Sequence, residues 1–271
     1  MSGSLFSVFL SFIPNFRTMI KFRTMFGLAA ILSCASMVRA ETVETGSLMK
    51  GTRYQTPFYV KSGEEPGPTI VVIGGVHGNE PAGYMAGREL KKWTITSGKL
   101  VLVPEAHVEA IRHGVRAYPR NMNRLFPGKK DGDAMEKLAF EIWELIKSSE
   151  PDLVLTLHES RGFHVDDPKR YGQTFTYDFP ELIPRFKAVA ARVNQGISPR
   201  KHQFQQFVDP FPTCPTYVTW KYLKVPATSI ETAKPLPLET RINYQMLALR
   251  GFFDEFELGY QLPERQTASQ K

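Results

Sequence analysis

The sequence predicts an α/β protein, a single domain with a mixed, largely parallel sheet and helices on both faces. Three observations carry this. Short apolar runs rich in β-branched residues and bounded by Pro and Gly, such as Thr69-Ile70-Val71-Val72-Ile73 and Leu153-Val154-Leu155-Thr156-Leu157, read as buried strands. Segments of helical period lie between them. The two kinds alternate along the chain, as crossover connections between strands of one sheet require.

Taken in order, Thr69–Ile73 is the first buried strand. Pro81 to Trp93 reads as a helix, with Pro81 suited to a first turn where no amide partner is lost. Lys99–Val103 is the next strand. Ala134 to Ser148 is amphipathic, with Leu138, Ile142, Leu145 and Ile146 on one face. Pro151-Asp152 precedes the strand Leu153–Leu157. Gln173–Tyr177 reads as a short strand, Glu181 to Asn194 as a helix, Val225–Ile230 as a strand and Thr240 to Glu257 as a long final helix. In sheets of this kind ligands gather beyond the carboxyl ends of the strands.

Length and composition set bounds. With 271 residues, 42% of them apolar and 23% charged, the chain can bury one sizeable core. Residues 1–40 hold Arg17, Lys21, Arg23 and Arg39 and no acid, with an apolar run from Met25 to Val38 before Val38-Arg39-Ala40. That is the layout of a secretory signal peptide, with the translated start at Met1, Met19 or Met25. The alternatives are a retained anchor or a lipid on Cys34. The expected division is therefore a signal peptide over 1–40, a folded domain over 41–260 and a flexible tail over 261–271, in a secreted or periplasmic protein. Without the leader, 30 basic residues face 27 acidic ones, so the formal charge of +7 falls to about +3. No dense Lys/Arg patch with interleaved aromatics is present, which argues against a nucleic-acid partner. Membrane contact is expected only through the leader or the Cys34 lipid. Cys214 would be the sole remaining thiol, in a loop between Pro212 and Pro215, and is read as structural.

Chemistry concentrates at strand ends. Gly74-Gly75-Val76-His77-Gly78-Asn79-Glu80 follows the first buried strand, and His158 closes another. A helix N-terminal Glu beside a chance His would account for the bare pair, but the glycine-rich turn directly after a strand, with Gly78 expected to let the chain turn sharply, favours ligation. Two His and one carboxylate form the ligand set of a catalytic zinc with one open position. His164, beside Asp166 and Asp167, is the substitute ligand. A third strand end carries Glu231, placed to move the protons that hydrolysis requires. Glu159 competes for that role but points away from His158 if the strand alternation persists. Arg116, Arg120 and Arg124 share a Pro-bounded loop with Asn121 and Asn123. Planar guanidinium forks match carboxylates and developing oxyanions.

Gly75-Val76-His77-Gly78-Asn79-Glu80-Pro81, Asn121-Met122-Asn123-Arg124-Leu125-Phe126-Pro127-Gly128 and Leu157-His158-Glu159-Ser160 together resemble the signature motifs of the succinylglutamate desuccinylase/aspartoacylase family, within the zinc carboxypeptidase superfamily. The similarity runs from about residue 66 to 235. It implies a zinc carboxypeptidase-like fold, with one zinc per chain on His77, Glu80 and His158. It implies that Asn123 and Arg124 grip a substrate carboxylate, Arg116 polarises the scissile carbonyl and Glu231 is the general base. The implied substrate is a small carboxylate-bearing amide or peptide, and the implied reaction is N-acyl amino acid deacylation. The alternatives are a metallocarboxypeptidase acting on peptides or peptidoglycan stem peptides, and a non-catalytic carboxylate-binding module. Two departures stand out. Asn121-Met122 replaces the family's usual Asp-Leu, and little chain follows Glu257, where aspartoacylase-type enzymes carry a further β-rich domain, so a more open site is expected. Tyr171, Tyr177 and Tyr217 are the tyrosines that could enter the pocket.

Overall fold

The computed structural model describes residues 40–263. The expected leader, up to its last residue, lies outside this range, as do the final residues of the expected tail. The chain forms β1 (Thr42–Leu48), β2 (Thr56–Ser62), β3 (Glu65–Gly74), α1 (Pro81–Leu90), β4 (Thr94–Val103), α2 (Val108–Arg112), α3 (Ala134–Ser148) and β5 (Leu153–Ser160). Then follow β6 (Thr174–Tyr177), α4 (Ile183–Gln195), β7 (Gln205–Val208), α5 (Pro215–Leu223), β8 (Ala227–Ala233), α6 (Leu238–Glu255) and β9 (Gly259–Gln261).

All nine strands join one sheet in the order β1-β2-β4-β3-β5-β8-β6-β7, with β9 added along β4. The centre, β4-β3-β5-β8, is parallel. Antiparallel pairs flank it at β1·β2, β2·β4, β4·β9 and β6·β8. The expected mixed sheet is therefore present, parallel through its centre and again at the β6·β7 edge. The central strands sit under two layers because their side chains alternate. Ile70, Val72, Leu153, Leu155 and Leu157 face Ala86, Leu90, Phe186, Leu249 and Phe252 of α1, α4 and α6. Val71, Ile73 and Val154 face Met135, Leu138, Ile142, Ile146 and Val218 of α3 and α5. Helices thus cover both faces, and the strands between them read as unbroken apolar runs.

The strongest periodic segment, α3, has the bounds its sequence predicts. Asp133 accepts the amides of Met135 and Glu136 while Glu136 returns a bond to Asp133, a capping box that contributes about 1 kcal/mol. Strands β1 and β2 carry no such signal, since β1 is exposed along most of its length and reads as polar. Two expectations are corrected. Gln261, assigned to the flexible tail, is the last residue of β9 and pairs with Thr94. Cys214 caps α5 instead of lying in a plain loop: its Sγ accepts the amide of Tyr217, and Pro215 is the first helical residue.

Candidate metal centre and active site

β3 delivers the first ligands. It ends at Gly74, opposite Leu157 of β5, so the chain leaves the sheet beside the carboxyl end of β5. Gly75 takes the left-handed conformation (φ 68°) that turns the chain. The sequence reading gave that role to Gly78. Gly78 is instead required because a Cβ there would overlap the Ala110 backbone of α2. Glu80 occupies the N-cap of α1 but makes no capping bond with its own helix. Its carboxylate turns inward, towards β5.

There the three expected ligands meet. Ligand atoms of His77, Glu80 and His158 all lie within 4.8 Å of one another, and all three residues are buried. His77 Nδ1 is 2.9 Å from Glu80 Oε1 and His158 Nδ1 is 2.8 Å from Glu80 Oε2. The first contact lacks hydrogen-bond geometry, so His77 Nδ1 is a buried nitrogen with no hydrogen-bond partner. Its other nitrogen, Nε2, lies 3.2 Å from Asn121 Oδ1. With Nε2 carrying the proton, Nδ1 keeps its lone pair facing the cluster, the arrangement a metal-ligating imidazole needs. Two ring nitrogens and a carboxylate around one point, one nitrogen unsatisfied, fit a divalent ion of borderline softness such as zinc.

The electrostatics are those of a tightly coupled buried group. Burial pushes the Glu80 carboxyl up, but the charges of His77 and His158 and the hydrogen bond of His158 outweigh it and hold it well below the usual carboxylate range. Burial also dominates at His77 and lowers it, against the pull of Glu80. At His158 burial opposes the charged form, yet the hydrogen bond and charge of Glu80 raise it.

β8 brings Glu231 to the same rim. His158 and Glu231 are paired residues of the parallel β5·β8 ladder. The Glu231 carboxyl is pushed up to about 7, chiefly by burial, with His158 pulling it down and Glu80 pushing it up. Glu159 points the other way, as the alternation predicts. It accepts the Ala82 amide at 2.9 Å and pairs with Arg241 on the far side.

A cavity of about 260 Å³ opens over the cluster, lined in part by Arg116, Asn123, Arg124, Tyr171 and Glu231. Arg116 Nη1 donates to Glu80 Oε1 at 2.6 Å, so its guanidinium lies against the ligand carboxylate. Asn123 keeps a side-chain oxygen without a partner. Arg124 lies 4.2 Å over the ring of Phe211. Of the three candidate tyrosines, Tyr171 lines the cavity and donates to Asp209. Tyr177 is buried against Phe186, and Tyr217 leans on Phe179. His164 is outside the cluster, with Nδ1 2.8 Å from the Arg170 carbonyl. Sequence reasoning missed Asn121 as the residue that orients His77. Its signal was available, since Asn121 also caps the short 3-10 turn Met122–Arg124 by accepting the Asn123 amide. It missed Asp178 and Thr216 in the cavity wall as well.

The fold and the cluster define a class: an α/β protein of zinc carboxypeptidase-like architecture with a buried His-Glu-His site at the carboxyl end of its parallel strands. Residues 66–162 match the family model of the Succinylglutamate desuccinylase/Aspartoacylase catalytic domain. This segment, which contains all three clustered ligands, is similar to that catalytic domain. A stretch of 105 residues is 36% identical to the N-alpha-acetyl-L-2,4-diaminobutyric acid deacetylase of Halomonas elongata, covering 36% of this chain and 30% of the relative. The apo Cell Shape Determinant protein Csd4 of Helicobacter pylori is similar with a TM-score of 0.70 at 22% identity, over 76% of this chain and 56% of Csd4. An aspartoacylase family protein of Mesorhizobium loti gives a TM-score of 0.63 at 19% identity, over 81% of this chain and 68% of that one. At such identities the structural likeness shows the fold. The matched region spans less than a third of the deacetylase and just over half of Csd4.

Proposed function

We propose that the protein is a zinc-dependent hydrolase that cleaves an amide bond beside a free carboxylate, in the manner of an N-acyl amino acid deacylase. The observation that carries this is the convergence of His77, Glu80 and His158, with Glu231 in register beside His158 at the floor of one cavity. A bound zinc ion supplies a Lewis acid for the carbonyl and lowers the pKa of water. His77, Glu80 and His158 would hold it, and Asn121 fixes the His77 ring. Glu231 takes a proton from the attacking water at its carboxyl oxygens and passes it to the departing amine. A carboxyl pushed up to about 7 by burial suits a group that must accept and release a proton near neutral pH. Arg116 turns from Glu80 to the carbonyl oxygen as negative charge grows there. Asn123 and Arg124 hold the substrate carboxylate and so fix the amide over Glu231.

The curated relative, a deacetylase, supports the deacylase reading. A second reading, a carboxypeptidase acting on peptides, is favoured by the fold likeness to Csd4, a D,L-carboxypeptidase with mDAP-bound and tripeptide-bound forms. We further propose that residues 1–40 are a leader directing the protein out of the cytoplasm. A mature N-terminus near Glu41 supports the leader, and a retained one refutes it. The function is tested by assaying zinc-loaded protein on N-acyl amino acids and on short peptides with free C-termini. Hydrolysis of the first set alone supports the deacylase, hydrolysis of the second set alone selects the carboxypeptidase, and hydrolysis of neither defeats both.

A further inference from the structure

Gln245 of α6 is 0% exposed, yet it lies outside the cavity. It sits on the face of the sheet that α6 covers, with Leu157 and Ile230, whereas His158 and Glu231 turn to the other face. Its Nε2 donates to the carbonyl of His158 at 2.9 Å and to the carbonyl of Ile230 at 3.2 Å, with Thr232 Oγ1 at 3.4 Å. The two amide hydrogens suffice for the two carbonyls. His158 belongs to β5, and Ile230 and Thr232 stand before and after Glu231 on β8. One side chain therefore bridges the two strands at the rung that pairs His158 with Glu231. Its other polar atom, Oε1, is buried and has no hydrogen-bond partner.

A buried amide with an unanswered oxygen weakens a fold, and a methionine would fill the same space without that cost. Carbonyls inside a sheet are ordinarily served by the ladder and need no donor from a helix. Packing alone thus explains this side chain poorly. Its position explains it better. β3 ends at Gly74, opposite Leu157, so His158 is the first residue of β5 that the β3 ladder no longer supports. The Gln245 bridge falls at that residue.

We propose that Gln245 is a positioning residue: by bridging β5 and β8 behind the sheet, it fixes the separation of the His158 imidazole and the Glu231 carboxyl. It acts through the two backbones and touches neither ligand atoms nor substrate. The kinetic part of this inference rests on the function proposed above, and the metal-binding part rests on the cluster alone.

The test is Gln245→Met, which keeps length and volume and removes the donor. The metal-free variant should melt at or above the wild-type temperature, because an unpaired buried oxygen leaves with the bridge. Its zinc affinity, by competition with a chelator of known strength, should fall about tenfold, as it does when groups that orient metal ligands are lost. On whichever substrate the wild type hydrolyses, kcat at saturating zinc should fall about tenfold or more while KM stays within about threefold, since a small misplacement of the base acts after binding. Crystals of wild type with and without zinc need no variant. They should show Nε2 on both carbonyls and one His158–Glu231 separation. Zinc affinity or kcat within about threefold of wild type overturns the proposal. So does a melting temperature that falls together with zinc affinity, a variant that does not fold, or a rung that widens when zinc leaves. If wild type hydrolyses nothing while Gln245→Met still loses zinc affinity, the proposed reaction fails and the bridge stands.

Discussion

His158 and Glu231 face each other across the parallel ladder of β5 and β8, one as a ligand of the cluster and the other as its neighbouring carboxyl. Parallel strands in register send paired side chains to the same face. The spacing between the ligand and the base candidate is therefore set by sheet geometry, and no loop has to be held in place for it. The next pair, Glu159 and Thr232, points to the opposite face by the same rule, which is why Glu159 is spent on Ala82 and Arg241.

If Glu231 moves the proton, Glu231→Gln should lower kcat by about 10²–10⁴-fold, the usual contribution of a positioned general base. The amide is isosteric and the ligands are untouched, so zinc content should stay at one per chain by elemental analysis. Hydrolysis within threefold of wild type would remove Glu231 from the mechanism.

Metal binding should stabilise the fold through the same three residues. An ion that binds only the folded chain at a concentration 1,000 times its dissociation constant adds about 4 kcal/mol. Adding zinc to chelator-stripped wild type should raise the melting temperature, whereas His158→Ala and Glu80→Gln should show little or no rise. An equal rise in all three proteins would mean that the ion binds elsewhere.

The central strands and α3 were legible because their patterns are strong: continuous β-branched runs bounded by Gly and Pro, and a 15-residue amphipathic helix with a capping box. His77, Glu80 and His158 were legible because each follows or closes such a strand. Strand β1 was not, because an exposed edge has no apolar face to impose a period. Asp178 was not, because its partners Phe211, Cys214 and Thr216 lie more than thirty residues further along the chain. Pairing among residues distant in the chain is invisible to spacing. The role given to Gly78 failed for a similar reason: the sequence shows a glycine but does not distinguish a positive φ at Gly75 from a close approach to Ala110.

Arg241 should matter to stability more than an ordinary surface arginine. Its partner Glu159 is buried and its carboxyl is raised, mainly by burial, with the Ala82 amide and Arg241 opposing the rise. Removing the cation alone strands the carboxylate, at a cost of about 3 kcal/mol. Arg241→Ala should therefore lower the denaturation midpoint clearly, and Glu159→Gln in the same background should restore part of the loss. Two losses that simply add would show that the pair does not interact.

His107 gives the fold an acid-sensitive point that is not itself one of the three ligands. It is buried, caps α2 by accepting the Ala110 amide at Nδ1, and its pKa is lowered to about 4, first by burial and then by His77. In the unfolded chain the same imidazole titrates near its ordinary 6.5. Above that pH both states are neutral and the residue adds no pH dependence. Between about 6.5 and 4 the unfolded chain takes up a proton that the folded chain refuses, so stability falls as pH falls, by about 3 kcal/mol in total. His107→Asn keeps an acceptor for the Ala110 amide without the titration. Urea midpoints taken from pH 7.5 to 4.5 should therefore fall more steeply for wild type than for the variant, and parallel curves would show that His107 is protonated as easily folded as unfolded.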